Sequence, residues 1–155
     1  MRGVGRAASV LLSVLGIAAA TAQSRGHRSE LIGIIHDPAI SEISGATVAQ
    51  HDQRHLFAIN DSQNSATLHV LSHDGSAEGQ VHINNAENRD WEDLAAFTLN
   101  GRPYLLIADT GDNGGLRASL TLYIVAEPKL PLPESIDIQW RIRFRLPEGP
   151  RDIEA

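Results

Sequence analysis

The chain has 155 residues, with 13 Lys and Arg against 19 Asp and Glu and a formal net charge of −6. It contains no cysteine, which excludes disulfides, thiolate zinc sites and a cysteine nucleophile. The acidic balance argues against nucleic acid and anionic membrane surfaces as partners, since both recruit basic patches, and it suits cation binding.

Arg2 and Arg6 precede an apolar run over residues 7–20, which closes on Ala20-Thr21-Ala22, a small-x-small cleavage site. Residues 1–22 are therefore expected to be a signal peptide, followed by a polar linker at 23–29 and a mature domain from 30 to 155. An uncleaved N-terminal anchor is the alternative, although the apolar run is short for a membrane span. The expected location is secreted or periplasmic, with no membrane association after cleavage. Removing residues 1–22 takes away two Arg and no acid, so 11 basic residues face 19 acids and the net charge becomes −8. An exported protein without disulfides depends on its core for stability.

Short β-branched and aromatic runs then alternate with clusters of Gly, Asn, Asp and Ser, which is the pattern of strands joined by turns. The predicted strands cover residues 30–35, 42–48, 55–60, 67–71, 80–83, 93–99, 103–108, 120–125 and 136–146. Asn100-Gly101 is a strong hairpin signal. Residues 136–146 alternate apolar and polar throughout, as a half-exposed outer strand does. No helical periodicity follows the signal peptide.

The two halves repeat. With Glu42 set on Glu92, an offset of 50 residues, Ile43-Ser-Gly-Ala46 falls on Asp93-Leu-Ala-Ala96. With one residue of slack, the run from Leu56 through Asn60, Asp61 and Asn64 falls on that from Leu105 through Asp109 to Asn113. Thr67 to Leu71 falls on Thr121 to Val125. A four-stranded unit of this length is the size of a propeller blade. The predicted class is all-β, a β-propeller fragment of about two four-stranded blades (42–85 and 92–146) plus the start of a third at 151–155. A self-contained β-sandwich is the alternative.

The motifs Glu42-Ile-Ser-Gly45, Asn60-Asp-Ser62, Asp90-Trp-Glu-Asp93, Asp109-Thr-Gly-Asp-Asn113, Leu122-Tyr123, Glu127-Pro128 and Gly149-Pro-Arg-Asp-Ile-Glu-Ala155 together resemble a family of secreted bacterial β-propeller proteins. At fold level the chain is similar to six-bladed propellers of the lactonase, phytase-like and NHL types. The lactonase branch holds a divalent cation at its central tunnel, one ligand being a Glu early in the first blade. That resemblance implies such a role for Glu42.

The acidic residues carry the functional expectation. Glu42, Asp93 and Glu154 each begin an innermost strand, and equivalent positions converge in a ring of blades. Asp61, Asp109, Asp112 and Asn113 follow the second strand of each unit. Hard cations take such oxygens, so Ca2+ is the expected cofactor for Glu42, Asp61, Asp93, Asp109, Asp112, Asn113 and Glu154. The 109–113 loop is not an EF-hand, because Gly111 and Leu120 stand where ligands are needed. Asx-turns formed by Asp109, Asp112 and Asn113 are the competing account, and pairing of Asp90 or Asp93 with Arg89, Arg117 or Arg151 is another.

The histidines His51, His55, His69, His73 and His82 are scattered and form no H-E-x-x-H motif. No G-x-S-x-G elbow, P-loop or G-x-G-x-x-G occurs. Two functions remain open. One is an exported propeller module that binds an unidentified ligand or partner with structural calcium. The other is a cation-dependent secreted hydrolase of lactonase or esterase type acting on a small molecule.

Overall fold

A computed structural model describes residues 30–154, and the expected signal peptide and linker lie outside the described residues. The described chain is all-β, with eight strands and no helix. Consequently no helix here is long and apolar enough to cross a membrane. The strands are β1 (Ile43–Val48), β2 (His55–Asn60), β3 (Thr67–Ser72), β4 (Ala77–Asn84), β5 (Trp91–Leu99), β6 (Arg102–Asp109), β7 (Leu120–Ala126) and β8 (Ser135–Phe144).

They form two four-stranded antiparallel meanders of propeller-blade type, β1–β4 and β5–β8. A short parallel ladder, His82 to Asn84 beside Ser135 to Asp137, joins β4 to β8. At the other side β1 lies against β5 without a ladder. Gly45 makes this approach possible, because a Cβ there would stand 2.6 Å from the Leu94 nitrogen and 2.9 Å from the Asp93 carbonyl carbon. Asn100 and Gly101 turn β5 into β6 with φ of 50° and 74°, the left-handed pair that matches strand twist in a two-residue hairpin.

The core forms where the pleat of each sheet turns apolar residues inward at every second position. Phe57, Ile59, Leu68, Val70 and Ile83 of the first sheet meet Trp91, Leu94, Leu105, Ile107, Tyr123 and Val125 of the second. A smaller cluster of Ile40, Ala58 and Leu71, with Ile35 and Leu56, covers the other face of the first sheet. The opposite face of the second sheet carries Phe97, Tyr104 and Trp140, with ring centroids 5.7 and 5.0 Å apart in sequence. There Trp140 is 44 % and Ile142 47 % exposed.

Two sequence expectations need correction. Residues 30–35 form no strand. An apolar run becomes a strand only where a ladder edge is offered, and here the β4 edge meets β8 while β1 faces β5. Ile35 instead packs with Ile40 over the first sheet, and Gly33 abuts the Asp74 backbone. The second correction concerns the repeat register. Ile43 pairs with Asn60 as Trp91 pairs with Asp109, so β1 and β5 superpose at an offset of 48 residues. Glu42 thus corresponds to Asp90, and Ser44 to Glu92. Each of these strands carries an irregularity at this point, between Ile43 and Gly45 and between Trp91 and Asp93, which inserts Ser44 and Glu92 as extra residues.

Candidate metal centre

The bulge in β5 creates the site. Two consecutive residues, Trp91 and Glu92, are both buried, at 0 % and 6 % exposure, whereas strict alternation would bury only one. Trp91 fills the core and donates its indole N–H to the Glu87 carbonyl at 3.1 Å. Glu92 is thereby left at the rim between the two sheets. Asp93 is exposed, and its carboxylate accepts the Leu94 N–H at 2.7 Å.

Four chain segments bring acids to this rim. Asp61 follows β2, and its N–H donates to the Glu42 carbonyl at 2.8 Å, tying the entry of β1 to the exit of β2. The Asn88 side-chain amide donates to the carbonyls of Asn60 and Asp61, at 3.0 and 2.8 Å, which anchors the approach to β5 beside them. The last described residues dock on the β6–β7 loop: the Asp112 N–H donates to Asp152 at 2.6 Å and the Thr110 hydroxyl to the Ile153 carbonyl at 3.1 Å. Two carboxylate groups result. Asp61, Asp90 and Glu92 offer oxygens within 4.8 Å of one another, and so do Glu92, Asp152 and Glu154. A shallow cavity of about 400 Å³ opens onto them, lined by Glu42, Ile43, Ser44, Asp61, Glu92 and Glu154.

Charge is poorly compensated here. Among the described residues no Lys, Arg or His forms an ion pair with these five acids. Burial, then contact with Glu154 and the charges of Asp61 and Asp90, pushes the Glu92 carboxyl up to about 8. Burial and the neighbouring Asp61 and Asp152 also raise Asp90, against the weak opposing effect of Asn113. Asp90 is 8 % exposed, and its Oδ1 is buried with no hydrogen-bond partner. The Ser44 Oγ is likewise buried and unpartnered. Carboxylate oxygens held this close require a proton or a cation between them. All-oxygen donors of this kind fit calcium.

Gly111 shapes the floor of the site. A Cβ at this residue would fall 2.3 Å from Glu92 Oε1 and 2.4 Å from Asp90 Oδ2, so the two carboxylates rest on bare backbone.

The expected ligands divide into two sets. Asp61 and Glu154 belong to the carboxylate groups, and Glu42 lines the cavity, its carboxylate accepting the Asn64 amide at 3.2 Å. Asp93, Asp109, Asp112 and Asn113 are engaged elsewhere or lie at the margin. Asp109, 1 % exposed, pairs with Arg117 at 3.0 Å and accepts the Asp90 N–H at 3.1 Å. Burial pushes its carboxyl up, and Arg117 opposes that shift. Asp112 accepts the N–H groups of Leu116 and Arg117, both at 2.9 Å, four and five residues on, which closes the loop before β7. Asn113 reaches Asp90 Oδ2 only at 3.5 Å. Asp90, Glu92 and Asp152 complete the site without having been singled out as ligands. Their signal lay in the Asp-Trp-Glu-Asp and Arg-Asp-Ile-Glu stretches, but the bulge that turns Glu92 inward leaves no mark in the local pattern.

The chain matches no protein-family model and none of the curated proteins compared with it.

Proposed function

We propose that this protein is an exported β-propeller module that binds a divalent cation, calcium by donor chemistry, at the rim between its two sheets. The site serves to order the rim for binding a ligand or partner. The observation that carries this reading is the group Asp61, Asp90 and Glu92: three carboxylates within 4.8 Å, lacking an ion-pair partner among the described residues, with Asp90 Oδ1 buried and unbonded. A cation would supply the missing partner to that oxygen and relieve the mutual repulsion. Export rests on the leader expected at residues 1–22, and the resemblance of the Asp-Trp-Glu-Asp and Gly-Asp-Asn motifs to secreted bacterial propellers favours it further. Calcium titration followed by thermal melting tests the reading. The expected result is a rise in Tm at millimolar calcium that chelator reverses; an unchanged Tm together with no heat of binding refutes it.

A second reading is a cation-dependent hydrolase of lactonase or esterase type. The cavity of about 400 Å³ beside the acids favours it, since it leaves room for a small molecule next to a bound cation. The cation would polarise a carbonyl as a Lewis acid, and Glu42 would line the approach. Incubation with aryl esters and lactones, with and without chelator, separates the two readings: chelator-sensitive turnover supports the hydrolase, and cation binding without turnover supports the module.

A further inference from the structure

A second cavity, of about 250 Å³, opens where the start of β7, the end of β8 and the turn after β8 meet. Strand register builds its first two walls. Leu120 pairs with Phe144, so one residue further out Ser119 lies beside Arg145, and both line the cavity. The returning chain makes the third wall. A turn over residues 146–149 closes with the Gly149 N–H donating to the Leu146 carbonyl at 3.2 Å, and Gly149 takes a φ of 96°, which a side chain would strain. Asp152 and Ile153 are then fastened to the β6–β7 loop by the Asp112 N–H and the Thr110 hydroxyl, so Arg151, directly before them, is held at the cavity.

Charge sets this cavity apart from the rest of the molecule. Its lining holds Arg117, Arg145 and Arg151 and no acid, in a chain with 19 acids against 13 bases. Among the described residues Arg145 and Arg151 form no ion pair. Arg117 commits its two terminal nitrogens to Asp109 and the Gly111 carbonyl, but its Nε is buried with no hydrogen-bond partner. Like charges gathered without a counter-charge repel one another, and a buried donor left unpaired is costly. An oxyanion in the cavity can supply both the counter-charge and an acceptor.

We propose that this cavity binds a small organic oxyanion, a carboxylate or a phosphate ester, with its anionic group held by Arg117, Arg145 and Arg151 and its apolar part against Leu120 and Leu146.

Guanidinium groups match carboxylate and phosphate oxygens with paired N–H donors, and the Ser119 hydroxyl can donate one bond more. The opposite lining is apolar. Leu120, 3 % exposed, forms a floor, and Leu146 and Pro150 extend it. A charged head on an apolar body therefore fits this lining better than a bare inorganic ion does. The volume equals that of about eight waters in the liquid, which suits a ligand of single-ring size. None of the lining residues belongs to the group Asp61, Asp90 and Glu92, so this site stands or falls independently of cation binding.

Titration calorimetry of the full chain, in calcium-free buffer of low ionic strength, takes benzoate and phenyl phosphate as probes and benzyl alcohol as the neutral control. Saturable binding of at least one anion with a Kd below about 1 mM is expected, and none of the alcohol; the tighter anion identifies the head group. The double variant Arg145→Gln with Arg151→Gln is expected to bind at least about tenfold more weakly, as loss of charge-assisted hydrogen bonds implies. Arg143→Gln, on the same strand but outside the cavity, should keep the full affinity. Arg117 is left unaltered because it anchors the 109–117 loop, and thermal melting shows that both variants are folded before binding is read. No saturable binding of either anion, equal binding of benzyl alcohol, or full affinity in the double variant overturns the proposal. Inorganic phosphate binding as tightly as phenyl phosphate overturns the assignment of an organic ligand.

Discussion

Replacing Arg117 by Met isolates the strongest charge interaction beneath the rim. Asp109 is 1 % exposed and the Arg117 side chain 13 %, so the pair is shielded from solvent. Arg117 gives Nη1 to Asp109 Oδ1 at 3.0 Å and to the Gly111 carbonyl at 2.6 Å, and Nη2 to the Asp109 carbonyl at 3.1 Å. Met preserves the apolar stem and deletes all three contacts. The Asp109 carboxylate keeps the Asp90 N–H but loses its counter-charge, and its Oδ2 already lacks a partner. Breaking a buried pair by removing one member costs about 3–5 kcal/mol, so Arg117→Met is expected to lose that much stability in urea denaturation at neutral pH. Most of the loss is the cost of the stranded charge rather than the value of the pair. It follows that the double variant Asp109→Asn with Arg117→Met is more stable than Arg117→Met alone by at least about 1 kcal/mol. The loss also shrinks as pH falls, because without Arg117 burial raises the Asp109 carboxyl further and favours its neutral form. A loss below about 1 kcal/mol for Arg117→Met, or a double variant no better than the single, refutes the view that this ion pair anchors the 109–117 loop.

Gly45→Ala is expected to destabilise the fold by about 1–3 kcal/mol, since its Cβ would meet the β5 backbone at 2.6 Å and neither strand can withdraw without opening the core; chemical denaturation measures it, and a neutral result would show that β1 and β5 are not in contact. Glu127 accepts the N–H groups of Gln50 and His51, both at 2.8 Å, and so ties the β1–β2 turn to the end of β7. Glu127→Ala should cost about 2–3 kcal/mol by the same assay, as charge-assisted hydrogen bonds do, and a change under half that would contradict the tie. For the calcium-free protein, Glu92 adds a pH dependence. Its carboxyl is raised from 4.5 to about 8 in the folded state, so folded protein binds the extra proton between those values. The stability contributed is complete below about pH 4.5 and is lost as pH rises through about 8. Melting from pH 5 to 9 in chelator should therefore show a falling Tm that Glu92→Gln flattens; equal slopes in the two proteins would remove Glu92 as the cause. Fluorescence offers a further check: acrylamide should quench Trp140, 44 % exposed, far more strongly than Trp91, 0 % exposed, and Trp140→Phe should leave a blue-shifted, poorly quenched emission.

Strand positions and turns were legible in the sequence because alternation and turn chemistry act within a few residues. The eight runs from residue 42 onward became β1 to β8, and Asn100-Gly101 became a left-handed hairpin turn. Of the acids expected to converge from successive units, Glu42, Asp93 and Glu154, Glu154 joins the carboxylate groups and Glu42 lines the cavity beside them. Which acid of the Asp-Trp-Glu-Asp stretch faces inward was not legible. Asp93 was the expected member as the start of an innermost strand, but the bulge at Trp91 places Glu92 there instead. Asp109 and Asp112 have the composition of calcium ligands, yet Arg117 and the turn N–H groups hold them.

The sequence by itself therefore determined the strand content, the two-unit repeat and the supply of carboxylates at one end of each unit, all consequences of local periodicity. Tertiary structure decided the register between units, the fate of residues 30–35 and the membership of the acidic groups. Those outcomes depend on one inserted residue per inner strand and on partners tens of residues away, and a single-residue shift reverses which side chains meet.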